Sequence, residues 1–293
     1  SNQAKGIKLM KLLVQNYSSQ YNTEPFYLSE CFKRIGVEND LWADNNVSAF
    51  DMFDTAKPDV FIGHFAYLTE DIVKYLSQNK NIKPVINVTG TNVQQLKSIT
   101  DTFMSMSLEN PTLFTNNFVH PHGESVYKLL PALDVFIQAT QPQFNIPLAV
   151  ITNNKDETVD NFIKDKEVYH LVSYGAKEEW ADFSTDIINF WGVSTSYDEV
   201  TLIDDGMIST SQFFFQATML CRKFHVVSQT QDQRDAFQEI LSTLFTSEET
   251  SEDVATVIKK QIIKNHTCFN RASQLAGILG MQEESKKLLE VVK

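Results

Sequence analysis

Apolar and polar positions come in alternating blocks along this chain: short aliphatic or β-branched runs, then amphipathic stretches of ten or so residues. The runs LMKLLVQ (9–15), DVFIGH (59–64), PVINVTG (84–90) and TLFTN (112–116) predict strands. Amphipathic segments near 23–35, 69–79 and 92–106 predict helices between them. Thr23 and Thr69 stand where N-caps are expected, and Pro25 falls in a first turn, where its missing N–H is harmless. Strands that are apolar at nearly every position, each followed by a helix, imply a parallel sheet covered on both faces.

The segment ALDVFIQATQPQFNIP (132–147) holds two prolines between strand-like runs and reads as the crossing between domains. Beyond it the alternation restarts. Strands are expected at 147–153, 168–175, 186–192, 199–205 and 224–228, with helices at 156–166, 176–183 and from 209. Helices at 231–246, 252–265 and 268–292 then close the chain. The expected fold class is therefore α/β: two tandem Rossmann-like doubly wound parallel-sheet domains facing a cleft, with a helical C-terminus. Residues 1–138 make the first domain and 139–293 the second. In such sheets ligands bind outside the carboxyl ends of the strands, at topological switch points.

Composition narrows the partners. The 293 residues are 42% hydrophobic and 21% charged, with 21 Phe to fill a core, as in an ordinary globular protein. A net charge of −12 argues against nucleic acid, which is held by clustered Lys and Arg. No run reaches the ~20 apolar residues of a membrane span, and no basic-then-apolar leader opens the sequence, so a cytoplasmic protein is expected. Cys31, Cys221 and Cys268 are too scattered for a disulfide framework or a metal knuckle.

The stretch STSQFFFQATMLCRKFHVVS (209–228) carries the strongest candidate chemistry. Ser209 and Gln212 fit an S-x-x-Q capping box, and Phe213, Phe214, Ala217 and Leu220 form an apolar helical face. Two readings stay open: a capped core helix, or a helix terminus whose free N–H groups at Ser209, Thr210, Ser211 and Gln212 cradle a diphosphate. Gln216 is polar amid the apolar face, suited to a ligand hydroxyl or to a satisfied buried amide. Lys155, in a strand-to-helix turn, is the candidate phosphate cation or a plain surface lysine.

In the first half, His64 ends a strand and is a candidate general base or a sheet-end histidine. Gly90 and Thr91 end the next strand, where glycine permits a tight turn or close ligand approach. HPHGE (120–124) offers His122 to an acceptor; Pro121 between the histidines and the lack of matched ligands argue against a metal there. Neither Asp204-Asp205 nor Glu178-Glu179 makes a metal site, because adjacent strand carboxylates point to opposite faces. The phosphate-loop, dinucleotide and nucleophile-elbow glycine motifs are all absent from the sequence.

The order INFWGVSTSYDEVTLIDDG, TSQFFFQATMLCRKFHVVS, KKQIIKNHTCFNRASQLAGILG resembles the donor half of GT-B-fold glycosyltransferases, nearest the spore-maturation (CgeB-like) group. That group carries F-E-A on the helix and a late H-T-x-x-x-R segment, matched here by His266-Thr267-Cys268-Phe269-Asn270-Arg271. NTEPFYLSECFKRIG (22–36) looks like the opening βα unit of such enzymes. The resemblance implies a metal-independent glycosyltransferase of glycan biosynthesis, needing no cofactor. It would move a sugar from a nucleotide-sugar donor, bound by the second domain, to a glycan or other hydroxyl acceptor. The F-E-A glutamate falls on Gln216 and an expected glycine on Cys221, two departures that put activity in question. A non-catalytic GT-B-like binding or accessory protein is therefore the alternative, and a two-lobed solute-binding protein a third. Residues His266 to Arg271 read from their own chemistry as a helix start capped by Thr267.

Overall fold

The computed structural model describes residues 10–18, 23–43, 46–108, 111–116, 126–137, five strands between 143 and 228, a few isolated positions, and 254–291. The chain divides into two compact units, each with its own parallel sheet. Residues 1–18, 24–130 and 268–293 form the first unit; residues 19–23 and 131–267 form the second.

Six strands build the first sheet: β1 (Leu12–Gln15), β2 (Asn39–Trp42), β3 (Val60–His64), β4 (Lys83–Asn87), β5 (Thr112–Thr115) and β6 (Val126–Lys128). Their order is β2-β1-β3-β4-β5-β6, and every pairing is parallel. The chain leaves β1 for β2 on one side and returns for β3 on the other. This reversal is the switch point of a doubly wound sheet. Leu12, Leu13, Val14, Phe61, Ile62, Val85, Ile86 and Phe114 are all fully or almost fully buried, since helices cover both faces.

Four helices follow the first strands: α1 (Glu24–Arg34), α2 (Ala49–Ala56), α3 (Glu70–Gln78) and α4 (Val93–Ser105). Tyr27, Leu28, Cys31 and Phe32 give α1 a buried stripe at helical spacing. Phe53 of α2 stacks on Tyr75 of α3 with centroids 4.6 Å apart and meets Phe61 of the sheet at 5.2 Å. Burying such a ring stabilises the fold by about 2 kcal/mol.

The second sheet holds β7 (Gln143–Thr152), β8 (His170–Ser173), β9 (Ser184–Asp186), β10 (Thr195–Asp204) and β11 (Cys221–Ser228). Its order is β11-β10-β7-β8-β9, again parallel throughout, with the switch between β7 and β10. After it come α5 (Val254–Asn265), α6 (Cys268–Ile278) and α7 (Gln282–Val291). The expected α/β class, with doubly wound parallel sheets and a helical C-terminus, is what the chain adopts.

Several boundaries differ from expectation. β7 begins at Gln143, inside the proline-bearing segment read as a crossing. Of the strand expected at 186–192 only Asp186 is described, as the last residue of β9; residues 187–192 lie outside the described residues. The single helix expected over 268–292 is two, α6 and α7, broken at Gly280 with φ +81°. There Gly280 N–H bonds Gly277 O and Met281 N–H bonds Ala276 O, the pairing of a Schellman cap.

Candidate functional site

The carboxyl edge of the first sheet gathers polar side chains from strands whose interiors are wholly apolar. At its centre is Glu24, the first residue of α1 and 2% exposed. Its carboxylate accepts from Tyr17 Oη at 2.6 Å, Asn87 Nδ2 at 2.8 Å, Asn116 Nδ2 at 2.7 Å and, more weakly, Tyr27 Oη at 3.4 Å. Burial pushes the Glu24 carboxyl above its ordinary range, and these four donors pull it back. The same burial, with Glu24 beside it, pushes the Tyr17 phenol well up, so Tyr17 stays a donor.

Asn87 and Asn116 close the far side of this network. Asn87 Nδ2 also donates to Asn116 Oδ1 at 2.7 Å, and Asn116 Nδ2 donates to Leu129 O at 2.7 Å. Thr89 bridges them, its hydroxyl 2.5 Å from Asn87 Oδ1 and 2.8 Å from Asn116 Oδ1, while accepting the Asn116 N–H at 2.8 Å. Arg271 of α6, 1% exposed, lies within electrostatic reach of Glu24 and Tyr27. Its desolvation lowers the guanidinium pKa to about 10, against the pull of Tyr27 and Glu24.

His64 stands at the next position along the edge. Its Nδ1 accepts the Ala66 N–H at 3.2 Å, capping the short 3-10 turn Phe65–Tyr67, and the imidazole also hydrogen-bonds the Thr89 backbone. Burial lowers its pKa to about 4, so the ring is neutral at pH 7. Tyr17, Phe65 and Tyr67 surround it, with ring centroids 5.4, 4.9 and 5.9 Å away. Gln15, 5% exposed, staples this turn: its Oε1 accepts the His64 N–H at 3.4 Å and its Nε2 donates to Tyr67 O at 2.9 Å. Gly63 leaves room for that side chain.

No protein-family model matches the chain, and no curated protein matches it. Among solved structures, a glycosyltransferase from Rickettsia africae ESF-5 superposes with a TM-score of 0.52 at 11% identity, over 95% of this chain and 98% of that one. The fold is GT-B-like. S. aureus MnaA, solved with UDP, matches at a TM-score of 0.46 and 9% identity over 94% and 97% of the two chains. CalG4, the calicheamicin glycosyltransferase, matches at 0.42 and 10% over 94% and 100%. These last two superpositions are too loose to carry an argument, and at such identities a likeness is one of fold.

Of the residues singled out in the sequence, the GT-B-like fold brings His64, Gly90 and Thr91 to one edge. Gly90 takes φ +88°, and Thr91 is buried, with both N–H and hydroxyl bonded to Val88 O. His122, Lys155, Ser209, Thr210, Ser211, Gln212 and Gln216 lie outside the described residues. His266 and Thr267 join Leu133 in the second unit, through Leu133 N–H to His266 O and a parallel bridge at Thr267, and Arg271 belongs to the core of the first. Among the described residues no three His, Cys, Asp or Glu side chains are placed to hold a metal ion. Nor is any helix of those residues long and apolar enough to cross a membrane.

Sequence reasoning missed Gln15, Tyr17, Glu24, Asn87, Asn116 and Tyr67. One signal was available: Gln15, Asn87 and Asn116 are amides at the carboxyl ends of apolar strands, where a doubly wound sheet keeps its polar business.

Proposed function

We propose that this protein is a glycosyltransferase that moves a sugar from a nucleotide-sugar donor to a hydroxyl acceptor without a metal. The observation that carries the reading is the GT-B-like arrangement of two doubly wound parallel sheets along one chain, shared over 95% of its length with a glycosyltransferase. The resemblance of residues 188–280 to a donor-binding half supports the same reading.

On this reading Ser209, Thr210, Ser211, Gln212 and Lys155 hold the diphosphate as negative charge develops on the leaving group, and Gln216 contacts a donor hydroxyl. Gly90, Thr91 and His122 stand on the acceptor side. His64 is the candidate base if the reaction inverts. Its Nδ1 becomes available to a proton only when it releases the Ala66 N–H. That commitment, with a pKa near 4, favours the second reading, a non-catalytic GT-B-like binding protein.

A thermal-shift screen with UDP, GDP, CMP, ADP and dTDP, each with and without magnesium, tests the donor site. A nucleotide at 100 times its dissociation constant stabilises the fold by about 2.7 kcal/mol. A selective, magnesium-independent shift that is lost in Ser211→Ala or Gln216→Ala supports the reading. Absence of any shift refutes it. Turnover of the matching nucleotide-sugar then separates enzyme from binding protein.

A further inference from the structure

The turns that follow β1, β3 and β4 in the first unit meet at one sheet edge, and their composition is distinctive in a chain of 37 acids and 25 Lys and Arg. Residues 16–18, 64–69 and 88–92 contain no Lys, Arg, Asp or Glu; they are amides, hydroxyls, aromatics and small apolar residues, with His64 among them. The imidazole is uncharged at pH 7. The first charges beyond the β3 turn are Glu70 and Asp71, which open α3. Lys128 ends β6, three strands from β3 and so about 14 Å away at sheet spacing.

Three helix starts at this edge are capped by side chains. Ser48 accepts the Asp51 N–H of α2, Thr69 accepts the Ile72 N–H of α3, and Asn92 with Gln95 forms a complete capping box on α4. Among the described residues a phosphate or carboxylate arriving here meets no exposed Lys or Arg in these turns, because the Arg271 guanidinium is buried and donates to Leu130 O. It finds each of these helix starts already capped by a side chain, so its desolvation is poorly compensated. An uncharged ligand bears no such cost.

Tyr67 supplies the apolar counterpart. It is 45% exposed, its ring stands edge-on to His64 at 5.9 Å and 71°, and its carbonyl is fixed by Gln15. A rigid aromatic beside hydroxyls and amides is the chemistry that recognises a pyranose, whose ring has an apolar face and a rim of hydroxyls. We infer that this edge binds an uncharged, hydroxyl-bearing sugar ring stacked on Tyr67. The inference rests on the transfer reading above, where it makes the acceptor a neutral glycan.

Saturation-transfer NMR on the full chain tests it with methyl glycosides of glucose, galactose, mannose and N-acetylglucosamine, beside the methyl uronides of glucose and galactose. At least one neutral glycoside is expected to receive saturation on its ring protons. That signal should fall at least fivefold in Tyr67→Ala, persist in Tyr67→Phe, and exceed that of the matching uronide. An unchanged signal in Tyr67→Ala, a uronide signal equal to or above the neutral one, or no signal from any glycoside overturns it. Unaltered melting of Tyr67→Ala, expected for an exposed side chain, shows that the variant is folded. A chain that binds a nucleotide but no glycoside refutes this inference alone; one that binds a glycoside but no nucleotide refutes the transfer reading.

Discussion

Arg271 of α6 donates its Nε–H to the carbonyl of Leu130 at 2.7 Å, across 141 positions of sequence. The guanidinium is buried, close enough to Glu24 to feel its charge, and it fastens α6 to the rest of the first unit. Removing one partner from a buried charged network strands the others. Arg271→Ala should therefore lose about 3–5 kcal/mol in urea unfolding. Arg271→Lys should recover only part of it, because an ammonium lacks the planar Nε–H. A loss below about 1 kcal/mol in Arg271→Ala would show that Glu24 is satisfied without it.

His64 makes stability depend on pH. The unfolded chain binds a proton near pH 6.5, whereas the folded imidazole does so only near 4. Between those values the unfolded state holds more protons, so stability rises with pH and is lost as pH falls from 6.5 towards 4. The full effect is on the order of 3 kcal/mol. Glu24 acts with the opposite sign, since its folded carboxyl is raised. A comparison with His64→Asn cancels that contribution. From pH 7 to 4.5 the wild type should lose about 2 kcal/mol more than the variant; parallel pH profiles would contradict the assignment.

Gly63 has no room for a side chain. A Cβ there would stand 2.7 Å from the Phe61 ring and 2.8 Å from Gln15 Oε1. Phe61 is fully buried and Gln15 is held at both ends of its amide, so neither yields freely. Gly63→Ala should destabilise by about 1–3 kcal/mol, as overpacking does. Guanidinium unfolding of the variant checks this, and a stability equal to wild type would mean that the Gln15 staple moves easily.

Gly280 is a different case, because nothing lies within 4 Å of its missing Cβ. Its constraint is the left-handed backbone between α6 and α7. Gly280→Ala should cost about 1 kcal/mol, and Gly280→Asn less, since asparagine tolerates that conformation better. A stabilised alanine variant in thermal melts would show the two helices fusing into the single one that the periodicity implies.

Much of the first sheet was legible beforehand because a strand buried on both faces must be apolar at almost every position, as Leu12, Val14, Phe61, Ile62 and Val85 are. β2 and β6 escaped notice for the converse reason. They are the two edge strands, NDLW and VYK, and an edge strand keeps polar or exposed positions that carry no apolar run. α2 has eight residues, too few for periodicity to stand out.

The candidate site was much less legible. His64, Gly90 and Thr91 could be suspected from their places after strands. Glu24 could not, since its partners Tyr17, Asn87 and Asn116 lie 7, 63 and 92 positions away. By itself the sequence determined the alternation of strand and helix, and with it a parallel sheet, because burial and caps are local demands. Only the tertiary structure decided which strands are neighbours, and so which turns share an edge. Placing β1 between β2 and β3, with β4 and β5 beyond, is what carries Tyr17, Asn87 and Asn116 to one carboxylate. Strand order is fixed by crossovers and packing across the whole unit, and no local stretch of sequence contains it.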